Sequence, residues 1–178
     1  MARRKPDPGA IYVSPRLQAS LEPMGRCALT TVTAPMGYGK TTAVNWFLAA
    51  QPPGSAIRVS IYSDSLPALW ESGRRAFRAA GLTVLEGFDC PMDPAATGLL
   101  VDTLCRELRR PEPWYLFADD LHLLPDPRMA RFLCELAARL PENVHLIAAS
   151  RDRILSGDQV LRLGGRLHRI GAEQLRLG

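Results

Sequence analysis

The chain has 178 residues, about one domain by length, with 22 Lys plus Arg, 18 Asp plus Glu and a formal charge of +4. Hydrophobic residues make up 47% and charged residues 22%, which excludes a disordered tail, a collagen and a coiled coil; a chain this long buries a core without disulfide staples. No run approaches the ~20 apolar residues of a membrane span, and the basic start (MARRKP) is followed by Asp7, Pro8 and Gly9 where a signal peptide needs an apolar stretch, so the chain reads as cytoplasmic.

In chain order, residues 1–13 are rich in proline and charge and read as an extended arm. Leu17 and Leu21, four apart, predict a short helix from Pro15 to about Met24. Residues 27–33 (CALTTVT) are apolar and β-branched, hence a buried strand. A loop follows over 34–39, then a helix over 40–50 with Val44, Phe47 and Leu48 on one side, stopped by Gln-Pro-Pro-Gly. Residues 56–61 predict a second strand, 67–80 a helix ending at Gly81, and 82–94 irregular chain. Residues 95–110 read as a helix with Leu99, Leu100, Leu104 and Leu108 on one stripe. Residues 114–118 (WYLFA) make a third strand that runs straight into Asp119-Asp120. A helix over 127–140 turns Phe132, Leu133, Leu136 and Leu140 inward, residues 144–149 form a fourth strand, 151–165 an Arg/Gly-rich loop, and 167–170 a short fifth strand. Strands alternating with helices predict βαβ units and a parallel sheet, whose sites lie beyond the carboxyl ends of the strands. We take residues 1–26 as arm and short helix and 27–178 as the core.

Three strand ends carry chemistry. The first is Ala34-x-x-x-x-Gly39-Lys40-Thr41, a Walker A pattern with alanine for the first glycine. Gly37 and Gly39 let the backbone curl so that successive N–H groups meet phosphate oxygens, and the helix that follows adds its positive end. Lys40 supplies a compact cation for the β- and γ-phosphates, and Thr41 a hydroxyl for Mg²⁺. The chain has 20 arginines and two lysines, Lys5 and Lys40. A point charge fits a phosphate nest where a guanidinium fork would crowd it, which is one reason for lysine at this position.

The second end is the pair Asp119 and Asp120, a Walker B element. Asp119 is the expected Mg²⁺ ligand, and Asp120 the group that orients or deprotonates the attacking water. Aspartate is one methylene shorter than the glutamate of vigorous ATPases, so slow turnover is expected. The third is Ser150-Arg151, about one βαβ unit further on, where the serine can sense γ-phosphate and the arginine neutralise developing charge.

With those residues in view, Val32-Thr-Ala-Pro-Met-Gly-Tyr-Gly-Lys-Thr-Thr42 resembles the P-loop of the STAND-class ATPases that open large LuxR-family, MalT-like transcriptional regulators. Asp119-Asp120-Leu121-His122 resembles their Asp-Asp-x-His element, Leu146 to Arg151 their strand ending in Ser-Arg, and residues 167–177 the segment just after it. The likeness runs from about Val13 to Leu177. It implies an α/β P-loop NTPase of the ASCE, AAA-like kind, with a five-stranded, mainly parallel sheet flanked by helices. In it the Ser-Arg strand lies between the Walker A and Walker B strands. It implies ATP or ADP with Mg²⁺, and a switch that rests with ADP and self-associates with ATP. Carried over, Ala34, Pro35, Met36, Gly37, Tyr38, Gly39, Lys40, Thr41 and Thr42 bind phosphates, Thr41 and Asp119 the metal, Asp120 is catalytic and Arg151 senses the γ-phosphate. Val13 to Arg16 corresponds to the adenine-contacting segment, in which the family's arginine is either lost or shifted; Met36 replaces its usual alanine. Such regulators continue into winged-helix, helical-repeat and helix-turn-helix modules, so the chain reads as an excised domain, and DNA contact belongs to the absent modules.

The remaining features read as structural. His122 is expected at the base of the Walker B loop, and His145 and His168 as satisfied strand histidines. Trp46 and Trp70 are expected in the core, and the four cysteines reduced and mostly buried. Arg151, Arg153, Arg162, Arg166 and Arg169 form a basic cluster without the interleaved aromatics of a single-strand nucleic-acid platform, so it reads as a solvated or interdomain surface. Two other functions stay open: a stand-alone P-loop enzyme such as a small-molecule kinase, and a nucleotide-binding scaffold without turnover.

Overall fold

The computed structural model of the chain describes residues 13–90 and 93–176. Of the predicted arm only Val13 is among them, and Leu177 lies outside them. The helices start where short polar residues can take a backbone donor. Ser14, Ser65, Asp93 and Asp126 each accept a first-turn N–H, with proline in the first turn, to open α1 (Pro15–Leu21), α3 (Leu66–Ala79), α4 (Pro94–Glu107) and α5 (Pro127–Arg139). α2 (Lys40–Ala49) begins differently, from a left-handed Gly39 with no side-chain cap.

The strands are β1 (Leu29–Thr33), β2 (Ala56–Ser60), β3 (Trp114–Asp119), β4 (Val144–Ser150) and β5 (Leu167–Ile170). They form one sheet in the order β2-β3-β4-β1-β5, and every pairing is parallel rather than mainly so. β4 therefore lies between β1 and β3, and all seven of its residues are buried. Alternation along the strands divides the core in two. Leu116, Ala118, Leu146 and Ala148 face α3, α4 and α5, while Tyr115, Phe117, Ile147 and Ala149 face α1, α2 and the final turn α7 (Ala172–Leu175). The parallel order puts the ends of β1, β4 and β3 side by side at one rim of the sheet.

Three expectations are corrected. The loop over 151–165 contains a helix, α6 (Gly157–Leu163), opened by a reciprocal capping box between Ser156 and Gln159. Its seven residues bury only Leu163, too few apolar positions for the 3.6-residue period to show. Leu99 is not on the buried stripe of α4; it is 62% exposed, and the stripe is Leu100, Val101, Leu104 and Leu108. Trp46 is on the outer side of α2, 37% exposed, whereas Trp70 is half-buried and donates its indole N–H to the Phe88 carbonyl at 2.9 Å. The α4 result has a direct check. Leu100→Ala is expected to cost about 2–5 kcal/mol, because it empties a fully buried site, and Leu99→Ala to stay within about 0.5 kcal/mol, both read from urea unfolding midpoints.

The two strand histidines are satisfied. His145 is buried, stacks on Tyr115 with ring centroids 5.2 Å apart, and makes a 2.9 Å Nδ1 hydrogen bond to the Cys27 carbonyl. Burial holds its pKa below the usual histidine value, so the ring is neutral with its proton on Nδ1. His168 Nε2 is 2.7 Å from the Ser20 carbonyl and ties β5 to α1. The four cysteines are free thiols, of which Cys134 alone is fully buried; the other three are half-buried. No helix among the described residues is long and apolar enough to cross a membrane.

Candidate functional site: a phosphate loop facing two aspartates

β1 delivers the chain to the loop at Ala34, which is buried and whose N–H donates to the Ser150 carbonyl at 3.2 Å. Gly37 and Gly39 then take φ of +87° and +76°. A Cβ at either would meet nothing within 4 Å, so glycine is required here by backbone conformation, not by crowding. Left-handed turns of this sort make an N–H-lined nest, and the uncapped start of α2 leaves its first-turn N–H groups without a side-chain partner. α3, α4 and α5 do have such partners.

Lys40 is only 9% exposed. Its ammonium folds back over the loop and donates to the carbonyls of Ala34 at 2.5 Å and Pro35 at 3.1 Å. Thr41 Oγ1 donates to Asp119 Oδ2 at 2.6 Å, joining the first turn of α2 to the end of β3 across the position of β4. The other oxygen of Asp119 accepts the Asp120 N–H at 2.9 Å. Asp120 has φ +60° and ψ +39°, the one positive φ outside glycine among the described residues. Aspartate tolerates that conformation, and the turn it makes ends β3 and leaves its carboxylate exposed. The loop's outer residues differ in setting. Met36 is 77% exposed, Pro35 is exposed, Tyr38 packs partly on the α1–α2 core, and Thr42 is half-buried. Val13 is buried against the α1 side of the core, and Arg16 is exposed on α1.

Ser150 is buried, and its hydroxyl accepts the Asp152 N–H at 3.2 Å. Arg151 is exposed, and its backbone N–H donates to His122 Nδ1 at 3.1 Å. His122 is thus at the base of the Asp-Asp loop as expected, but its link to Arg151 is not visible in the sequence; the hint was that both follow strand ends predicted to be close. All five arginines of the basic cluster are exposed, as a solvated surface requires, and the side chains of three of them also bond within the chain. Arg162 pairs with Glu135 at 2.6 Å, Arg166 donates to the Ala137 and Leu140 carbonyls at the end of α5, and Arg153 to the Leu155 carbonyl.

The residues present fit a nucleotide with a metal ion. A nest of this kind suits an anion, for which the Lys40 ammonium would be the countercharge. No group of three or more His, Cys, Asp or Glu among the described residues could hold a metal alone. A Mg²⁺ bound by Thr41 and Asp119 would need phosphate oxygens to complete its shell, which is the usual manner for that ion.

No family model matches the chain. Among solved structures it is similar to a STAND protein (signal transduction ATPase with numerous domains) with a tetratricopeptide-repeat sensor from Pyrococcus horikoshii: TM-score 0.56, 13% identity, 91% of this chain and 23% of that one. It is similar also to a Walker-type ATPase of Pyrococcus abyssi (0.52, 14%, 95% and 56%) and to a chain of Drosophila ORC bound to DNA (0.53, 14%, 88% and 91%). The chain has the P-loop ATPase fold. In that fold the loop at the end of β1, the acids at the end of β3 and the turn after β4 share one rim, as they do here. The chain spans under a quarter of the STAND protein and just over half of the Walker-type ATPase.

Proposed function

We propose that the chain is a nucleotide-binding, slowly hydrolysing switch domain of a STAND-class, LuxR-family regulator resembling MalT. The observation that carries the reading is the hydrogen bond between Thr41 and Asp119, which pairs the two Mg²⁺-binding positions across the sheet beside an uncapped helix and a buried lysine. The motif likeness over residues 32–42, 119–122 and 146–151 supports the regulator family, and the fold likeness to a STAND protein agrees with it.

In this reading the backbone of residues 34–39, with Lys40, Thr41 and Thr42, binds the phosphates. Thr41 and Asp119 hold Mg²⁺, and Val13 and Arg16 lie on the adenine side. Bound ATP supplies the phosphoanhydride that is cleaved. Asp120 orients a water and takes its proton, and Arg151 meets the γ-phosphate. The domain works in the cytoplasm and self-associates with ATP in the whole regulator, and DNA is contacted by other modules of it.

Calorimetric titration with ATP and with ADP, each with Mg²⁺, tests this. One saturable site is expected, with ADP bound at least as tightly as ATP. Absence of binding to either would overturn the proposal.

A further inference from the structure

We infer that His122 is a positioning residue that holds the Ser150–Arg151 peptide and so aims Arg151 at the γ-phosphate; this rests on the nucleotide reading above. One peptide group ties the three strand ends together. Its carbonyl, from Ser150, accepts the N–H of Ala34 at the start of the phosphate loop. Its N–H, from Arg151, donates to the imidazole of His122 in the Asp-Asp loop. A peptide fixed at both ends has little freedom to rotate, so those two bonds set where the Arg151 Cα sits and the line of the N–Cα bond from which its side chain departs.

The reason a side chain serves here lies in the strand lengths. Along β3 and β4 the last paired residues are Ala118 and Ala148. β4 continues beside β1 as far as Ser150, opposite Thr33. β3 ends at Asp119, because Asp120 turns left-handed into a 3-10 turn over Leu121–Leu123. Past that point the strand supplies no carbonyl for the Arg151 N–H. His122, half-buried in that 3-10 turn, fills the gap. The turn is itself held: Leu121 is 5% exposed, and the Leu123 N–H donates to the Asp120 carbonyl at 2.9 Å. Nδ1 is the acceptor in this bond, which leaves Nε2 as the ring's remaining polar atom. Asp120 and His122 share one turn, so the acid proposed to orient water and the arginine proposed to sense phosphate are mechanically linked. The Arg151 side chain makes no hydrogen bond or ion pair among the described residues, which leaves the guanidinium available to a ligand.

The test is calorimetry with Mg²⁺-ATP and Mg²⁺-ADP on wild type, His122→Ala, His122→Asn, Arg151→Ala and the His122→Ala/Arg151→Ala double variant, with circular dichroism checking the fold. The asparagine Oδ1 can take the place of Nδ1 as acceptor. His122→Ala is expected to weaken ATP about tenfold and leave ADP within about twofold, since only ATP carries the group Arg151 meets. His122→Asn should restore ATP to within about twofold of wild type, and in the Arg151→Ala background His122→Ala should add nothing. The inference is overturned if His122→Ala leaves the ATP-to-ADP ratio unchanged, if it weakens both nucleotides equally, if His122→Asn behaves like His122→Ala, or if the two alanine effects multiply. Wild type that binds neither nucleotide would instead remove the nucleotide reading, and this inference with it.

Discussion

Lys40→Ala is expected to abolish measurable nucleotide binding, a loss of about 100-fold or more in affinity, while the folded protein survives. The two sides of the expectation rest on different contacts. The ammonium donates to two loop carbonyls, Ala34 and Pro35, and makes no ion pair among the described residues. Removing it therefore takes away a nearly buried charge with two of its three donors bonded, rather than one partner of a buried ion pair, and the stability change should stay within about 1 kcal/mol. With a nucleotide bound, the same ammonium would exchange carbonyls for phosphate oxygens. Two charge-assisted hydrogen bonds of about 1.5–3 kcal/mol each are then at stake, which converts to a loss of two or more powers of ten. Lys40→Arg separates charge from shape. It keeps the cation and matches the composition of an arginine-dominated chain, yet its planar fork must enter a nest shaped by two left-handed glycines. It too is expected to bind poorly. Calorimetry beside thermal melts of the three proteins reads both effects. Wild-type affinity in Lys40→Ala would place phosphate binding elsewhere on the molecule.

The fold was legible from residue patterns because each strand announces itself by a different local means. β4 is a run buried on both faces and apolar apart from His145 and the final Ser150, β3 an aromatic run that stops at two acids, and β1 a β-branched run that stops at a glycine loop. Serine or aspartate caps with prolines mark most helix starts. What stayed hidden depends on neighbours distant in sequence. Leu99 has the spacing of a core residue, but which side of α4 is buried is decided by α5 and the sheet, and Val101 takes the place Leu99 was expected to fill. Trp46 is apolar on an apolar helix, yet α2 leans on β1 and α1 through Ala43, Val44, Phe47 and Leu48 and leaves the indole outside. The site divides the same way. The loop residues are readable as a motif because their chemistry is local backbone geometry. Thr41 and Asp119 were readable only as two expected ligands of one metal ion; their direct hydrogen bond was not, since it joins residues 78 apart. The His122–Arg151 contact carries no sequence signature, because it arises from β3 being shorter than β4.

Asp120→Asn is the substitution that separates a hydrolase from a scaffold. Asparagine keeps the volume of the side chain and accepts the left-handed backbone that this position requires, so the turn into residues 121–123 should persist. It removes the ability to take a proton. Loss of a positioned general base costs about 100-fold or more in turnover, so phosphate release at saturating Mg²⁺-ATP should fall by that factor, with ATP affinity within about twofold of wild type. Asp120→Ala is a poorer probe, because a β-carbon without a local hydrogen-bonding partner adds about 1–2 kcal/mol of strain at this φ and would shift the turn that carries His122. Asp119→Asn should behave differently. It replaces the carboxylate bonded to Thr41 with a neutral amide and so should make binding less dependent on Mg²⁺ rather than halt the chemistry alone. If wild type and both asparagine variants release phosphate only at the rate of a protein-free control, neither acid takes part in hydrolysis. The pair would then serve to end β3 and anchor α2, and the domain would be a nucleotide-holding scaffold in which the Thr41–Asp119 bond is architecture.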